Sequence, residues 1–397
     1  MDPLSPAVVP LSMLVVFVSA KLMAELFERL GQPGIVGEIL AGVLIGPSVL
    51  GWMRPNEVLA ILSQLGAVFL LFRVGLEVRS SDLLRVGGTA LVVAIAGVIV
   101  PFFAGWAISL AWGEPRIEAI FTGAAMVATS VGITARVLAD KGLLDARASQ
   151  VILAAAVIDD VLGLIVLSLV SSMAKGPIHY LDVALTASLA IGFTAVMVLL
   201  GTRTARRVVP HVQQRLIHAE AEFSIALSVL FALSLVATYA GVAAIVGAFL
   251  AGMALSETAD KRVLLQTSGI TELLTPFFLV GIGLHFDVSA FAAPSAVWLA
   301  IVILIAAILS KLAACGLGAI RLGRADALRV GVGMAPRGEV GMVVAQIGLS
   351  LGVMSKTVYG VVVFMSVATT MAAPPLLRWA YRDLEGARER EEMPRLG

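Results

Sequence analysis

Runs of about twenty mainly apolar residues recur from one end of this chain to the other, and a run of that length is what a helix needs to cross a bilayer. Thirteen such spans can be read between polar, Gly or Pro breaks: 8–30, 35–53, 58–78, 86–112, 117–139, 146–174, 179–203, 218–240, 241–257, 269–288, 294–321, 327–350 and 355–380. A soluble domain is about 25 % charged, whereas 14 % of these 397 residues are charged and 59 % are hydrophobic. The expected fold class is an all-α polytopic membrane protein. The opening "MDPLSPAVVP" has no basic n-region and no small-residue cleavage site, so the first span is expected to be retained rather than removed as a signal. After the last span comes only the charged tail "RDLEGAREREEMPRLG", with no room expected for a soluble regulatory domain. Cys315 is the single cysteine, which excludes an internal disulfide and a thiolate metal site.

Basic residues test the count of spans. Alternate loops beginning after the first span, with Arg85, Arg136 near the end of span 5, Lys261 and Arg262 counted among their charges, carry with the C-terminal tail twenty of the 28 Lys and Arg, whereas the opposite loops hold only Arg54, Arg116, Lys175 and Lys356. The positive-inside rule then places the C-terminus in the cytoplasm and, with an odd number of spans, the N-terminus outside.

The chain also echoes itself. "IVGEILAGVLIG" (35–46) in the second span returns as "IVGAFLAGMALS" (245–256) in the ninth, and "FRVGLEV" in the third is echoed by "VGIGLHFDV" in the tenth, aligning Gly75 with Gly283. Span n matches span n+7, and an odd shift inverts the second copy in the membrane, the pattern of secondary transporters with a midplane site. The same shift lays Thr129 and Ser130, in "MVATSVGITARV", over Arg337 and Gly338, in "GMAPRGEVGMVV". Both are polar interruptions of apolar spans, and Pro336 removes a backbone donor. Spans 5 and 12 are therefore expected to be broken helices, since irregular backbone at this depth must be buried or line a cavity. Taken alone, the two hydroxyls could simply bond back to the preceding turn.

Charge inside the spans is sparse. Asp159 and Asp160, in "VIDDVLGL", sit near the middle of span 6. Ionised carboxylates there cost at least ~2.5 kcal/mol each on insertion scales. Adjacent helical side chains diverge by about 100°, so the two must face different partners, and Lys311 in span 11 is the available cation, the alternative being that it snorkels to the cytoplasmic face. Arg337 and Glu339 could neutralise each other at the interruption of span 12. Lys21, Glu25 and Glu28 read as snorkelling groups, while Glu38 and Arg73 fall near the inner interface, with Glu38 beside the repeated motif. His179, His211, His218 and His285 have no metal-ligand spacing, and no Walker, Rossmann or nucleophile-elbow motif occurs. Nothing points to an enzyme, a cofactor or a nucleic-acid partner.

The stretches "GQPGIVGEILAGVLIGP", "TSVGITARVLAD", "VIDDVLGLIVL", Lys311 and "APRGEVGMVVA" together resemble the monovalent cation:proton antiporter family, of the NapA type with an NhaA-like fold. Glutathione-gated potassium efflux systems are similar too, but there the first Asp is usually Gln and a nucleotide-binding domain follows. The resemblance implies an electrogenic exchange of protons for Na⁺ or Li⁺, without a cofactor, in the bacterial inner membrane and as a homodimer. It implies that Asp160 is the main site for which cation and proton compete. Asp159 would contribute to that site and pair with Lys311 when the cation is absent. Thr129 and Ser130 would bring the broken span 5 beside the ion, and Arg337 and Glu339 would stabilise the crossing. It further implies a dimerisation scaffold (1–84 and 216–290), a transport core (85–175 and 291–382), a linker helix (176–215) and a cytoplasmic tail (383–397). A K⁺/H⁺ antiporter of the same fold and a cation channel are the alternatives. An intramembrane aspartyl protease needs two carboxylates converging on one water, which adjacent helical positions do not supply.

Overall fold

A computed structural model describes residues 8–175, 180–213 and 221–392. Their α-helices are α1 (Val8–Arg29), α2 (Gly34–Ile45), α3 (Glu57–Glu77), α4 (Ser80–Trp112), α5 (Arg116–Ala125), α6 (Val131–Asp140), α7 (Arg147–Lys175), α8 (Tyr180–Gln213), α9 (Ala221–Tyr239), α10 (Ala244–Leu255), α11 (Lys261–Leu284), α12 (Pro294–Gly318), α13 (Arg324–Gly333), α14 (Gly338–Ser350) and α15 (Lys356–Glu392). No strand occurs among the described residues. Nine of the described helices are long and apolar enough to cross a membrane, and α2, α10 and Val340–Ser350 of α14 are shorter apolar helices.

Each stretch read as a span overlies one helix or one interrupted pair. Spans 5 and 12 are the pairs, α5/α6 and α13/α14, broken at residues 126–130 and 334–337. Several boundaries differ from the sequence reading. The second span stops at Ile45, because Gly46 is extended and the chain then turns through Gly51 at φ +64°. α4 begins at Ser80 and α11 at Lys261, the latter where the Asp260 carboxylate accepts the Lys261 N–H at 2.6 Å. Arg85, Lys261 and Arg262 therefore lie on helices rather than in loops, and so does Arg136 on α6.

The tight join "YAGVAA" is explained by one residue. Gly241, at φ +80°, ends α9 in the left-handed conformation that a side chain disfavours. Val242 N–H then donates to the Ala237 carbonyl at 2.8 Å. The turn after α1 is the same object 210 residues earlier: Gly31 has φ +71°, and Gln32 N–H donates to the Phe27 carbonyl at 2.8 Å. Gly113 and Gly323, at φ +97° and +101°, and Gly142 and Gly352, at φ +63° and +70°, repeat the offset.

The helices pack as two groups. In one, α2 lies on α11 and α3 on α10 and α11, with α1 and α9 alongside; in the other, α4, α5, α7 and α12 to α15 surround the two breaks. The first group is held by backbone-to-backbone contact. A Cβ on Gly42 of α2 would lie 2.1 Å from the Val280 carbonyl oxygen, and one on Gly252 of α10 would lie 2.2 Å from that of Phe72. Their opposite numbers, Gly283 and Gly75, are equally tight, at 2.2 Å from the Ile39 and Phe249 oxygens. Without a hydrophobic drive inside lipid, such approach is what lets dispersion hold helices together. Gly75→Ala is expected to force α3 and α10 apart and lower the midpoint of thermal unfolding in detergent, as overpacking costs about 1–3 kcal/mol. Gly87→Ala, on α4 with open space around it, is the control that should leave the midpoint in place.

Candidate functional site

The two interrupted helices cross at their breaks, and each satisfies the other's loose backbone groups. Ser130 N–H, at the start of α6, donates to the Pro336 carbonyl at 2.9 Å. The Thr134 hydroxyl of α6 donates to the Gly333 carbonyl at the end of α13, at 2.8 Å. The Arg337 guanidinium donates to the Val127 and Ala128 carbonyls beyond the end of α5, at 3.3 and 3.5 Å, and to the Ala307 carbonyl of α12 at 3.0 Å. A cation there complements the negative end of the α5 dipole. On the other side, Arg337 N–H and Gly338 N–H, at the start of α14, donate to the Thr369 and Thr370 hydroxyl oxygens of α15, each at 3.2 Å. Gly338 has φ +50°, and a Cβ on it would sit 2.3 Å from that of Ser130. Only glycine fits where the two breaks touch.

α7 passes beside this crossing and points its two carboxylates in different directions. Asp159 is 1 % exposed and accepts from Lys311 Nζ at 3.1 and 3.3 Å. Lys311, on α12, is itself fully buried. Space for its ammonium exists because residue 97 of α4 is glycine: a Cβ there would be 3.1 Å from Nζ and 2.9 Å from Cys315 Sγ. Asp160 is half-buried and borders a space of about 10 Å³ walled by Leu71, Val131, Val157, Ile245 and Phe249, room for one water-sized particle. Thr129 is 3 % exposed, and its hydroxyl oxygen has no hydrogen-bond partner among the described residues. A buried hydroxyl in that state has capacity to spare for a water or an ion. Ser130 is 2 % exposed at the same break.

The structure thus gathers Asp159, Asp160, Lys311, Thr129, Ser130 and Arg337 around one crossing. The side chain of Glu339 lies outside the described residues, and with it the expected pairing to Arg337; His179 and His218 lie outside them as well. Among the described residues no group of three or more His, Cys, Asp and Glu gathers to hold a metal. A cation at Asp159 and Asp160 would have to complete its shell from hydroxyl and carbonyl oxygens, as hard monovalent ions readily do.

Two cavities approach this point from opposite ends of α7. One of about 440 Å³, mostly apolar, is lined by Leu164 and Leu167, which continue the Asp160 face of α7 toward Lys175, and shares Ile245 with the small space beside Asp160. The other, about 600 Å³ and polar, lies at the Arg147 end and is lined by Lys21, Glu38, Arg136, Asp140 and Arg378. Sequence reading missed three parts of this arrangement: Arg136, which was read as a loop charge, and the pair Thr369 and Thr370. An arginine within an apolar span was the signal for the first; threonines in an apolar helix gave none for the others.

Residues 14–381 match the family described as "Sodium/hydrogen exchanger, transmembrane". The high-affinity Na⁺/H⁺ antiporter NhaS3 of Synechocystis is 34 % identical, over 98 % of this chain and 92 % of its own. The Na⁺/H⁺-K⁺ antiporter GerN of Bacillus cereus is 33 % identical, over 92 % and 94 %. In fold, the chain is similar to the sodium proton antiporter MjNhaP1 of Methanocaldococcus jannaschii, with a TM-score of 0.73 at 17 % identity over 98 % of this chain and 99 % of the other. This chain belongs to the sodium/hydrogen exchanger family and is a monovalent cation:proton antiporter, a transporter rather than an enzyme.

Removing one member of the buried pair leaves the other uncompensated, at a cost of about 3–5 kcal/mol. Lys311→Met is therefore expected to lower the unfolding midpoint strongly, and Asp159→Asn combined with Lys311→Met to recover most of the loss. A double-mutant cycle on thermal midpoints in detergent measures this; additive losses would show that the two side chains do not act as a pair.

Proposed function

We propose that this antiporter exchanges protons for Na⁺ or Li⁺, electrogenically and by alternating access, with cation and protons competing at Asp160 and Asp159. The observation that carries the reading is the fully buried Lys311–Asp159 pair, set beside a second carboxylate that faces the other way into a water-sized space at the crossing of two broken helices. A site that only bound cations would gain nothing from a buried lysine on one of its carboxylates. A site that must return protons does. In the cation-free state Lys311 holds Asp159 and a proton holds Asp160. An entering cation draws on both carboxylates, on the Thr129 hydroxyl and on carbonyls freed by the break. The Asp160 proton leaves, and Lys311, deprived of its counter-charge in a medium hostile to charge, gives up its own. Two protons for one cation move one net charge per cycle, worth about 2.3 kcal/mol for each ~100 mV of membrane potential.

The two packed groups support the division of labour. α1 to α3 and α9 to α11 serve as scaffold and dimer-forming half, α4 to α7 and α12 to α15 as mobile core, and α8 as the link. The glycine turns that recur at an offset of 210, and the glycine contacts of the matched spans, support an inverted repeat. With spans 2 and 9 matched at 210 and spans 3 and 10 at 208, the contact of Gly42 with Gly283 maps onto that of Gly252 with Gly75, as a two-fold axis in the membrane plane requires. The charge bias of the loops supports a cytoplasmic C-terminus, with thirteen crossings in a bacterial inner membrane. The printed name of GerN favours a second reading in which K⁺ is also carried.

Proteoliposomes with a preset pH gradient decide among these. Addition of Na⁺ or Li⁺ should dissipate the gradient, and a response to K⁺ would broaden the substrate. Asp160→Asn should abolish the response, and full activity in that variant would refute the site. An imposed potential should alter the initial rate, and indifference to it would exclude uneven exchange. Because protons and cation share one place, the Na⁺ concentration for half-maximal rate should rise as pH falls, by at most about tenfold per pH unit for each competing proton.

A further inference from the structure

The polar cavity at the Arg147 end of α7 closes on a cluster of charges that the exchange reaction does not use. Glu38 of α2 is 1 % exposed and accepts from Lys21 Nζ of α1 at 3.3 Å and from Arg136 Nη1 of α6 at 3.1 Å. Arg136 Nε lies 3.6 Å from an Asp140 oxygen one turn along its own helix. Nearby, Arg378 of α15 donates to the Gly31 carbonyl at 2.6 Å. We propose that the Glu38–Arg136 pair is a latch holding the inner side closed, with Lys21 and Asp140 as the partners that receive the two charges when it opens. This rests on the division into scaffold and core given above.

The pair ties the two bodies together where it matters. Glu38 stands on a scaffold helix, whereas Arg136 stands on the core half-helix whose first residue, Val131, borders the space beside Asp160. Any inward path to Asp160 that follows α6 must pass this contact. Each charge also keeps a partner within its own body, Lys21 for Glu38 and Asp140 for Arg136. Separation then leaves no buried charge alone, so the contact can open as well as close; a buried pair without reserves would act as a rivet. Among the described residues no ion pair joins the two groups at the opposite end. At the repeat offset of 210, Glu38 corresponds to Ala248, buried and uncharged, and the cavity approaching Asp160 from that end is apolar. One ionic closure on one side gives the two access states unequal energies, and the closed inner side is the state described here.

The test uses the full chain with Cys315→Ala as background and Leu71→Cys as reporter, since Leu71 is 2 % exposed and lines the space beside Asp160. The protein is reconstituted in one orientation, and a membrane-impermeant thiol reagent is applied from the cytoplasmic side. Glu38→Gln and Arg136→Gln should each speed labelling, on the order of tenfold, and the exchanged pair Glu38→Arg/Arg136→Glu should return it toward the parent. Labelling unchanged in both single variants, or as fast in the exchanged pair as in either, overturns the latch. If Glu38→Gln does not fold, Glu38→Asp serves, and labelling no faster than the parent overturns the proposal equally. Labelling requires no ion exchange, so a parent that fails to dissipate a pH gradient would refute the antiport reading and leave the latch standing.

Discussion

The Lys311–Asp159 ion pair is the constraint around which the rest of the molecule is arranged. Two opposite charges with no exposed surface, 3.1 Å apart, are tolerable in a membrane helix bundle only while they hold each other. Everything nearby keeps that contact possible without making it permanent. Gly97 leaves room for the ammonium, the helix breaks place hydroxyls and carbonyls within reach, and Asp160 offers a second carboxylate aimed away from the lysine. If the pair were stronger, through further hydrogen bonds to either partner, it would resist the exchange proposed for it. If it were weaker, Lys311 would stand uncompensated in the cation-free state.

Breaking a helix inside a membrane exposes backbone groups that water is not there to satisfy. This chain meets that cost by breaking two helices at one point. Ser130 N–H finds the Pro336 carbonyl, Thr134 finds Gly333, and Arg337 reaches the carbonyls that follow α5. Among the described residues, what remains unmatched near the crossing is the Thr129 hydroxyl, the Arg337 Nε and the Ser366 hydroxyl. The crossing therefore satisfies most of its loose backbone groups from within. Thr369 and Thr370 contribute from a third helix by capping α14 from outside it, which lets α14 begin without a side-chain cap of its own.

How much of this could be read from the sequence depended on whether a residue was out of place in its segment. Asp159, Asp160 and Lys311 are costly in apolar runs, so their positions alone demanded partners, and Pro336 with Gly338 announced a break. The glycines of the repeated motif could be matched, and the structure shows what Gly42 and Gly252 share, a close approach to the backbone of the facing helix. Arg136 was misread because a charge near a span end looks like a loop charge, and only the depth of Glu38 on a different helix reveals why it lies inward. Thr369 and Thr370 were invisible, since threonine in an apolar helix ordinarily bonds to its own preceding turn. Boundaries slipped where caps decided them, as at Asp260. Periodicity locates helices, but their ends are set by a few hydrogen bonds that the hydropathy of the run does not encode.

The same logic distinguishes the two ion-pair systems in the molecule. The pair at the crossing is a closed account, one cation and one carboxylate with no exposed surface, so its opening must be coupled to the arrival of another charge. The Glu38 cluster is open: its Lys21 side chain is 45 % exposed and its Arg136 19 %, so water and reserve partners can take up either charge. In the proposed scheme the first pair would respond to a cation, while the second would part for a movement of whole helices without any ligand. Transport of the proposed kind needs both properties in one chain, and the depth at which each pair is buried assigns them.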